Sequence, residues 1–135
     1  MKSFFGLAIA ILAVCGLAVG QEPSYTAHAS GKDIMKTMIG PNNGALRGMA
    51  ENGPQTDEDW AIARTAAAIM AEAGEILNMG GRYKEGVWAD AASGLASAAG
   101  GVVAAADAKD AAAFKTALGG IGQNCQSCHK VYRKR

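Results

Sequence analysis

Apolar residues recur along most of this chain at intervals of three and four positions, the spacing of one face of an α-helix. No segment shows the strict alternation of apolar and polar residues that a half-buried strand requires. Clusters of Gly, Pro and Asn divide the helical pattern into four stretches with short connections. The pattern therefore predicts an all-α fold, most simply an antiparallel four-helix bundle with any cofactor held between facing helices.

Capping residues and breakers set the ends of the predicted helices. Ser30 and Thr56 can cap the first two helices, and either Asp107 or Asp110 can cap the fourth. The pair Gly40-Pro41, followed by Asn-Asn-Gly, is expected to stop the first helix. The helices are predicted over residues 30–39, 56–80, 85–107 and from the aspartate cap towards the C-terminus, with a short helical stretch over residues 45–51.

The fourth helix has the most regular apolar face. The apolar residues of this face are spaced alternately four and three positions apart along its whole length: Phe114, Leu118, Ile121, Cys125, Cys128 and Tyr132. Both cysteines are therefore predicted on the buried face. Three glycines at 119, 120 and 122 interrupt the pattern, and each costs about 1 kcal/mol in a helix interior relative to alanine. From the residues alone, they can also mark a break between two short helices.

The sequence Cys125-Gln-Ser-Cys128-His129 fits the C-x-x-C-H pattern of covalent haem attachment. In that chemistry two thiols add across the porphyrin vinyl groups, and the adjacent imidazole binds the iron. Residues three apart project to the same side of a helix, so both sulfurs can reach one edge of the ring. We therefore predict one covalent haem c, with His129 as an axial iron ligand.

Three other interpretations of the cysteine pair remain open. A disulfide between residues three apart in a helix is strained. A thioredoxin-like redox pair normally lies at the start of a helix beside a sheet. Half of a zinc site needs further ligands, and His28 is the only other histidine besides His129. Each alternative is therefore weaker than haem attachment.

The first twenty residues have the composition of a signal peptide that is cleaved on export. Lys2 is their one charge, and an apolar run over residues 4–19 ends in small residues that offer a cleavage site. Cleavage would leave a domain of residues 21–135 in the periplasm. A retained membrane span would want about 20 apolar residues, which is more than this run has. A lipid anchor on Cys15 is a further alternative.

Charge narrows the classes of function. Removing the signal peptide takes away Lys2 and leaves 12 basic residues against 12 acidic ones. A chain with no net charge is poorly suited to binding nucleic acid. Two haem propionates would bring its net charge to about minus two at neutral pH. The sequence contains no nucleophile–base arrangement, phosphate loop or second metal site, so we expect no turnover enzyme.

Beyond the attachment motif, the chain resembles the cytochrome c prime superfamily over most of its mature length. The matching segments are Leu118-Gly119-Gly120-Ile121-Gly122, the attachment motif, Tyr132-Arg133 and Val87-Trp88-Ala89-Asp90. The resemblance implies a four-helix bundle whose glycines let the haem or a neighbouring helix approach closely. It also implies that Arg133 approaches a propionate, and that a homodimer through the first two helices is an expectation.

One position of the first helix divides that superfamily. High-spin members carry an apolar residue there, whereas low-spin members place a methionine sulfur on the iron. Ile34-Met35-Lys36 is similar to the low-spin pattern, which makes Met35 the expected second axial ligand and Met38, one turn later, the reserve. A saturated iron implies single-electron exchange with redox partner proteins. An open iron would instead bind nitric oxide or carbon monoxide.

The chain departs from the pattern of the superfamily in the first helix. Gly31 stands where many high-spin members carry an arginine, and Lys32 is an alternative propionate partner. The stretch 40–44 looks inserted. The basic residues at the C-terminus either interact favourably with the helix dipole or form a docking patch for a redox partner. The other upstream residues with an iron-binding side chain are expected to be core filler or surface: Met49, Met70, Met79 and His28.

Overall fold

The computed structural model describes residues 25–133, and within them every regular element is helical. The predicted signal peptide, Cys15 and the last two basic residues lie outside this range. The elements are α1 (Gly31–Ile34), a π-helical segment (Met35–Ile39), α2 (Gly40–Gly48), α3 (Asp57–Leu77), a 3-10 turn (Gly80–Arg82), α4 (Val87–Ala108) and α5 (Ala111–Tyr132).

The expected stop at Gly40-Pro41 is wrong, because α1, the π segment and α2 form one unbroken helical rod over residues 31–48, called the first rod below. Pro41 has no N–H, and in a regular α-helix its ring clashes with the carbonyl four residues earlier. The wider π turn precedes the proline. In it the Gly40 N–H donates to the Met35 carbonyl, and the Asn42 side chain donates to the Met38 carbonyl at 2.7 Å. Side-chain and π-type hydrogen bonds thus carry the helix past the proline.

The predicted N-caps are confirmed. Ser30 and Thr56 each accept a hydrogen bond from a backbone N–H in the first turn, and the carboxylates of Asp33 and Asp59 bond back to the cap. For α5 the cap is Asp110, whose Oδ1 accepts two backbone N–H groups at 2.9 Å. Asp107, the other aspartate considered, instead pairs with Arg64 at 2.7 Å.

The first rod packs on α3, α3 on α4, and α4 on α5, which forms a helical bundle around one apolar core. Gly74 allows the close approach of α3 and α4, since a Cβ there would lie 2.8 Å from the Ala92 carbonyl oxygen. The α4 helix is long and apolar enough to cross a membrane by length and composition alone. Its alanine-rich faces pack against α3 and α5, which accounts for that composition.

Candidate functional site

The fourth side of the bundle is not closed by packing. The first rod and α5 make few contacts with each other, and a cavity of about 1360 Å³ lies between them, alongside α4. This exceeds the volume of most small-molecule pockets, roughly 300–1,000 Å³. Its lining is Met35, Ile39, Gly40, Asn43, Arg47, Ala50, Leu77, Trp88, Ala91, Ala92, Leu95, Lys115, Leu118, Gly119, Gly122, Asn124, Cys125, Gln126, Cys128, His129, Lys130 and Arg133.

The predicted attachment residues all line this cavity. Cys125 and Cys128 are partly buried on α5, while His129 is exposed. The helix that carries them is anchored at its start by the Asp110 cap and by Phe114, which is fully buried. The two thiols and the imidazole are thus held on one continuous helix beside a space large enough for a flat cofactor.

The glycines of α5 do not break the helix, which runs without interruption from Ala111 to Tyr132. At Gly119 and Gly122, which line the cavity, an added Cβ would meet nothing within 4 Å. At Gly120 it would lie 3.2 Å from the Ala98 Cβ on α4. Two of the glycines therefore leave a bare helix surface towards the cavity, and the third lets α4 approach.

The state of the thiols bears on the other interpretations of the cysteine pair. Cys125 and Cys128 are not bonded to each other. Desolvation raises the pKa of both thiols, and for Cys128 the neighbouring Cys125 adds to the effect. A thioredoxin-like pair needs a lowered thiol pKa, so these surroundings oppose that chemistry. Within residues 25–133, no group of three His, Cys, Asp or Glu side chains is placed to hold a metal ion.

The first rod brings Met35 to the same cavity as the attachment motif. Met35 is partly buried, it begins the π segment, and it lines the cavity, whereas Met38 does not. Met70 is fully buried in the core, Met49 packs against the core, and Met79 is exposed; none of the three lines the cavity. His28 is exposed and is also absent from the lining. Met35 is therefore the one methionine of the described chain that shares the cavity with His129.

The charged residues of the lining all have the same sign. They are Arg47, Lys115, Lys130 and Arg133, and no carboxylate is among the lining residues of the described chain. Arg133, which the resemblance places near a propionate, lines the cavity. Lys32, the alternative propionate partner, does not. Sequence reasoning missed Arg47, which shares a face with Ile39 and Asn43 at steps of four. That spacing has meaning only if the helix continues through Pro41.

Trp88 contributes an aromatic side chain to the cavity lining. Its indole Nε1 donates to the Leu77 carbonyl at 3.0 Å, and its ring meets that of Tyr132 edge-on at 5.3 Å. The Lys84 ammonium lies 5.0 Å from the centroid of each ring. A Cβ at Gly31 would lie 3.1 Å from Trp88, so the indole fills the space that a side chain at this position would need.

Residues 27–133 match the family model described as Cytochrome C'. No significant match to a curated protein or to a solved structure was found. The matched range contains the whole bundle and the attachment motif.

Proposed function

The chain belongs to the cytochrome c′ family, and from that premise we propose that it is an exported monohaem c-type cytochrome that carries single electrons. The observation that carries the proposal is that Met35 on the first rod and the Cys125-to-His129 motif on α5 line one cavity between these two helices. When bound, the haem supplies a one-electron ferric–ferrous couple.

The cavity fits such a group. Cys125 and Cys128 would hold it covalently, each thiol adding its S–H across one vinyl C=C bond, with the sulfur going to one carbon and the hydrogen to the other. The bare surface at Gly119 and Gly122 would leave room for a flat ring against α5. The mostly apolar lining from α4 excludes water on that side, and the four cationic side chains of the lining neutralise the two propionates.

The axial ligands decide the function. His129 on α5 and Met35 on the first rod would hold the iron, which would leave no coordination position for a substrate. Ligation of haem iron by one histidine and one methionine raises the reduction potential of the iron. The proposed activity is thus electron exchange with redox partners, without catalytic turnover.

The wider setting follows the sequence predictions. Members of this family are typically periplasmic, which agrees with the signal peptide predicted over residues 1–20. We propose that the mature domain is an antiparallel bundle that acts there without a membrane span. Pairing into a homodimer remains a prediction.

The ligand assignment is tested by paired substitutions. Met35→Ala should convert a low-spin absorption spectrum to high spin while the haem stays covalently attached, because only the sixth ligand is lost. Met38→Ala is the matched control, since Met38 lies one turn away but outside the cavity lining. If Met38→Ala alone produced the conversion, the ligand would be Met38. If neither changed the spectrum of a protein that is already high spin, the iron would be open, as a gas-binding protein requires.

A further inference from the structure

Arg82 is the one buried charged side chain in residues 25–133, and 7% of its surface is exposed. No carboxylate lies within ion-pair distance of it in that part of the chain. Burying a cation without an anionic partner is unfavourable unless its N–H groups are well bonded. An arginine in this position therefore needs a compensating arrangement of neutral acceptors.

The compensation comes from two segments, the end of α3 and residues 25–29. Arg82 Nε donates to the Ile76 carbonyl at 2.9 Å, Nη1 to the Ala29 carbonyl at 2.9 Å, and Nη2 to the Tyr25 hydroxyl at 2.8 Å. The guanidinium carbon also lies 5.1 Å from the centroid of the Tyr25 ring. We call these four residues the Arg82 latch. It joins the end of α3 and the turn after it to the segment that precedes the first rod.

The position of the latch links it to the cavity. Ala29 immediately precedes Ser30, the N-cap of the first rod, and Met35 lies five residues beyond that cap, or about 7.5 Å along the helix axis. This end of the rod has few other anchors. Ile34 is the one buried residue of α1, and Gly31 rests against Trp88. On the cavity side, the rod has no close packing against α5.

We propose that Arg82 is a positioning residue for Met35, because the latch fixes the start of the first rod and with it the register of the residue that faces the attachment motif. The inference rests on the proposed function, in which Met35 is the sixth iron ligand. Without the latch, residues 25–30 lose their hydrogen bonds to Arg82 and keep only the packing of Tyr25 and Ala27 beside Gly80. The rod end then moves away more often, and the Met35 sulfur spends less time in the cavity.

The test uses the full-length haem-loaded protein with Arg82→Gln. Carbon monoxide can bind the ferrous iron only while Met35 is displaced, so its binding to the native protein is expected to be slow and limited. The ferrous protein is mixed with excess carbon monoxide, and the rate of this binding is measured. We expect the binding rate to rise about tenfold or more. A hydrogen bond to a charged group that is lost in the variant no longer opposes the local opening of the rod end, so the open state becomes more populated. Hydrogen exchange of the amides of residues 30–39 should accelerate in the same variant, a readout that does not depend on iron ligation.

The matched control is Arg64→Gln, which removes an exposed arginine paired with Asp107. It should leave both readouts at their wild-type values. Tyr25→Phe removes one hydrogen bond and keeps the ring, so it should shift both readouts in the same direction by less. This milder variant also serves as the test if Arg82→Gln does not fold. Arg82→Lys keeps the charge but not the forked donors, and an intermediate effect is expected.

The outcomes separate the two proposals. If Met35→Ala leaves the native spectrum unchanged, the proposed ligation fails, and so does the inference that depends on it. If Met35→Ala converts the spectrum but the Arg82 and Tyr25 variants behave like Arg64→Gln in both readouts, Met35 is the ligand and the latch does not position it. Faster carbon monoxide binding together with faster exchange over residues 30–39 supports the latch.

Discussion

Helix α5 has two edges that the sequence pattern does not distinguish but the structure does. On one, which we call the packed edge, Phe114 and Ile121 are 0% and 1% exposed. On the other, the open edge, Leu118 and Cys125 are only partly buried and line the cavity. Both pairs are seven residues apart. An apolar series therefore predicts which face of a helix avoids water, but not whether protein or a cofactor covers it.

The largest effect should come from removing the chemistry of the open edge. The double variant Cys125→Ala, Cys128→Ala should contain no covalently bound haem, because no thiol remains to form a thioether at this site. Denaturing mass spectrometry after expression with a haem-attachment system measures this directly. Ser127→Ala, inside the same motif, is the control and should retain the mass of one haem. Retention of that mass by the double variant would place the attachment elsewhere.

The packed edge should govern stability. Phe114→Ala removes a fully buried ring that meets Trp60 edge-on at 5.9 Å, and it should lower the free energy of unfolding by about 3–5 kcal/mol. Denaturant titration of the haem-loaded protein provides the measurement. Val131→Ala, at a side chain 60% exposed on the same helix, should change the value by less than about 0.5 kcal/mol. Equal stability of the two variants would mean that the packed edge is not core.

Two glycines provide a matched pair of substitutions, one packed against protein and one facing the cavity. Gly74→Ala should lower the free energy of unfolding by about 1–3 kcal/mol, because its Cβ would press on the backbone of α4. Gly122→Ala meets no protein atom within 4 Å and gains helix propensity, so it should not weaken the bundle by crowding. It should instead lower the yield of attached haem, since its methyl group enters the cavity. Unchanged haem yield would show that the bare surface of α5 is not needed.

The smallest effect concerns the cations of the lining. Arg47→Gln and Lys115→Gln should each reduce the salt dependence of the rate at which ferricyanide oxidises the reduced protein, because each removes a charge that attracts the anion. Stopped-flow kinetics at several ionic strengths measures this dependence. Lys36→Gln is the control, since Lys36 is exposed on the first rod but does not line the cavity. An identical salt dependence in all three variants would contradict a role for the cationic lining.

The features that follow from local rules could be predicted from the sequence. Capping chemistry located the starts of the first rod and α3, and periodicity identified the face of α5. The attachment motif on α5 and Met35 on the first rod, which the resemblance indicated, both line the cavity. Their roles in haem attachment and iron ligation stay predictions.

The features that depend on tertiary structure could not. Local rules treat Pro41 after Gly40 as a helix breaker, and they do not predict the π segment that carries the rod past it. Arg47 entered the lining only because that rod continues. Arg82 contacts residues more than 50 positions away, at Ala29 and Tyr25, so no window of sequence could reveal that it is buried.

The proposed function requires that His129 and Met35 together saturate the iron of a haem bound covalently through Cys125 and Cys128. The most direct measurement is the absorption spectrum of the purified, reduced native protein before and after addition of carbon monoxide. Because Met35 occupies the sixth position in this account, a low-spin spectrum with little change on addition is expected. A high-spin spectrum that shifts fully on addition of the gas would contradict the Met35 assignment and favour a gas-binding protein.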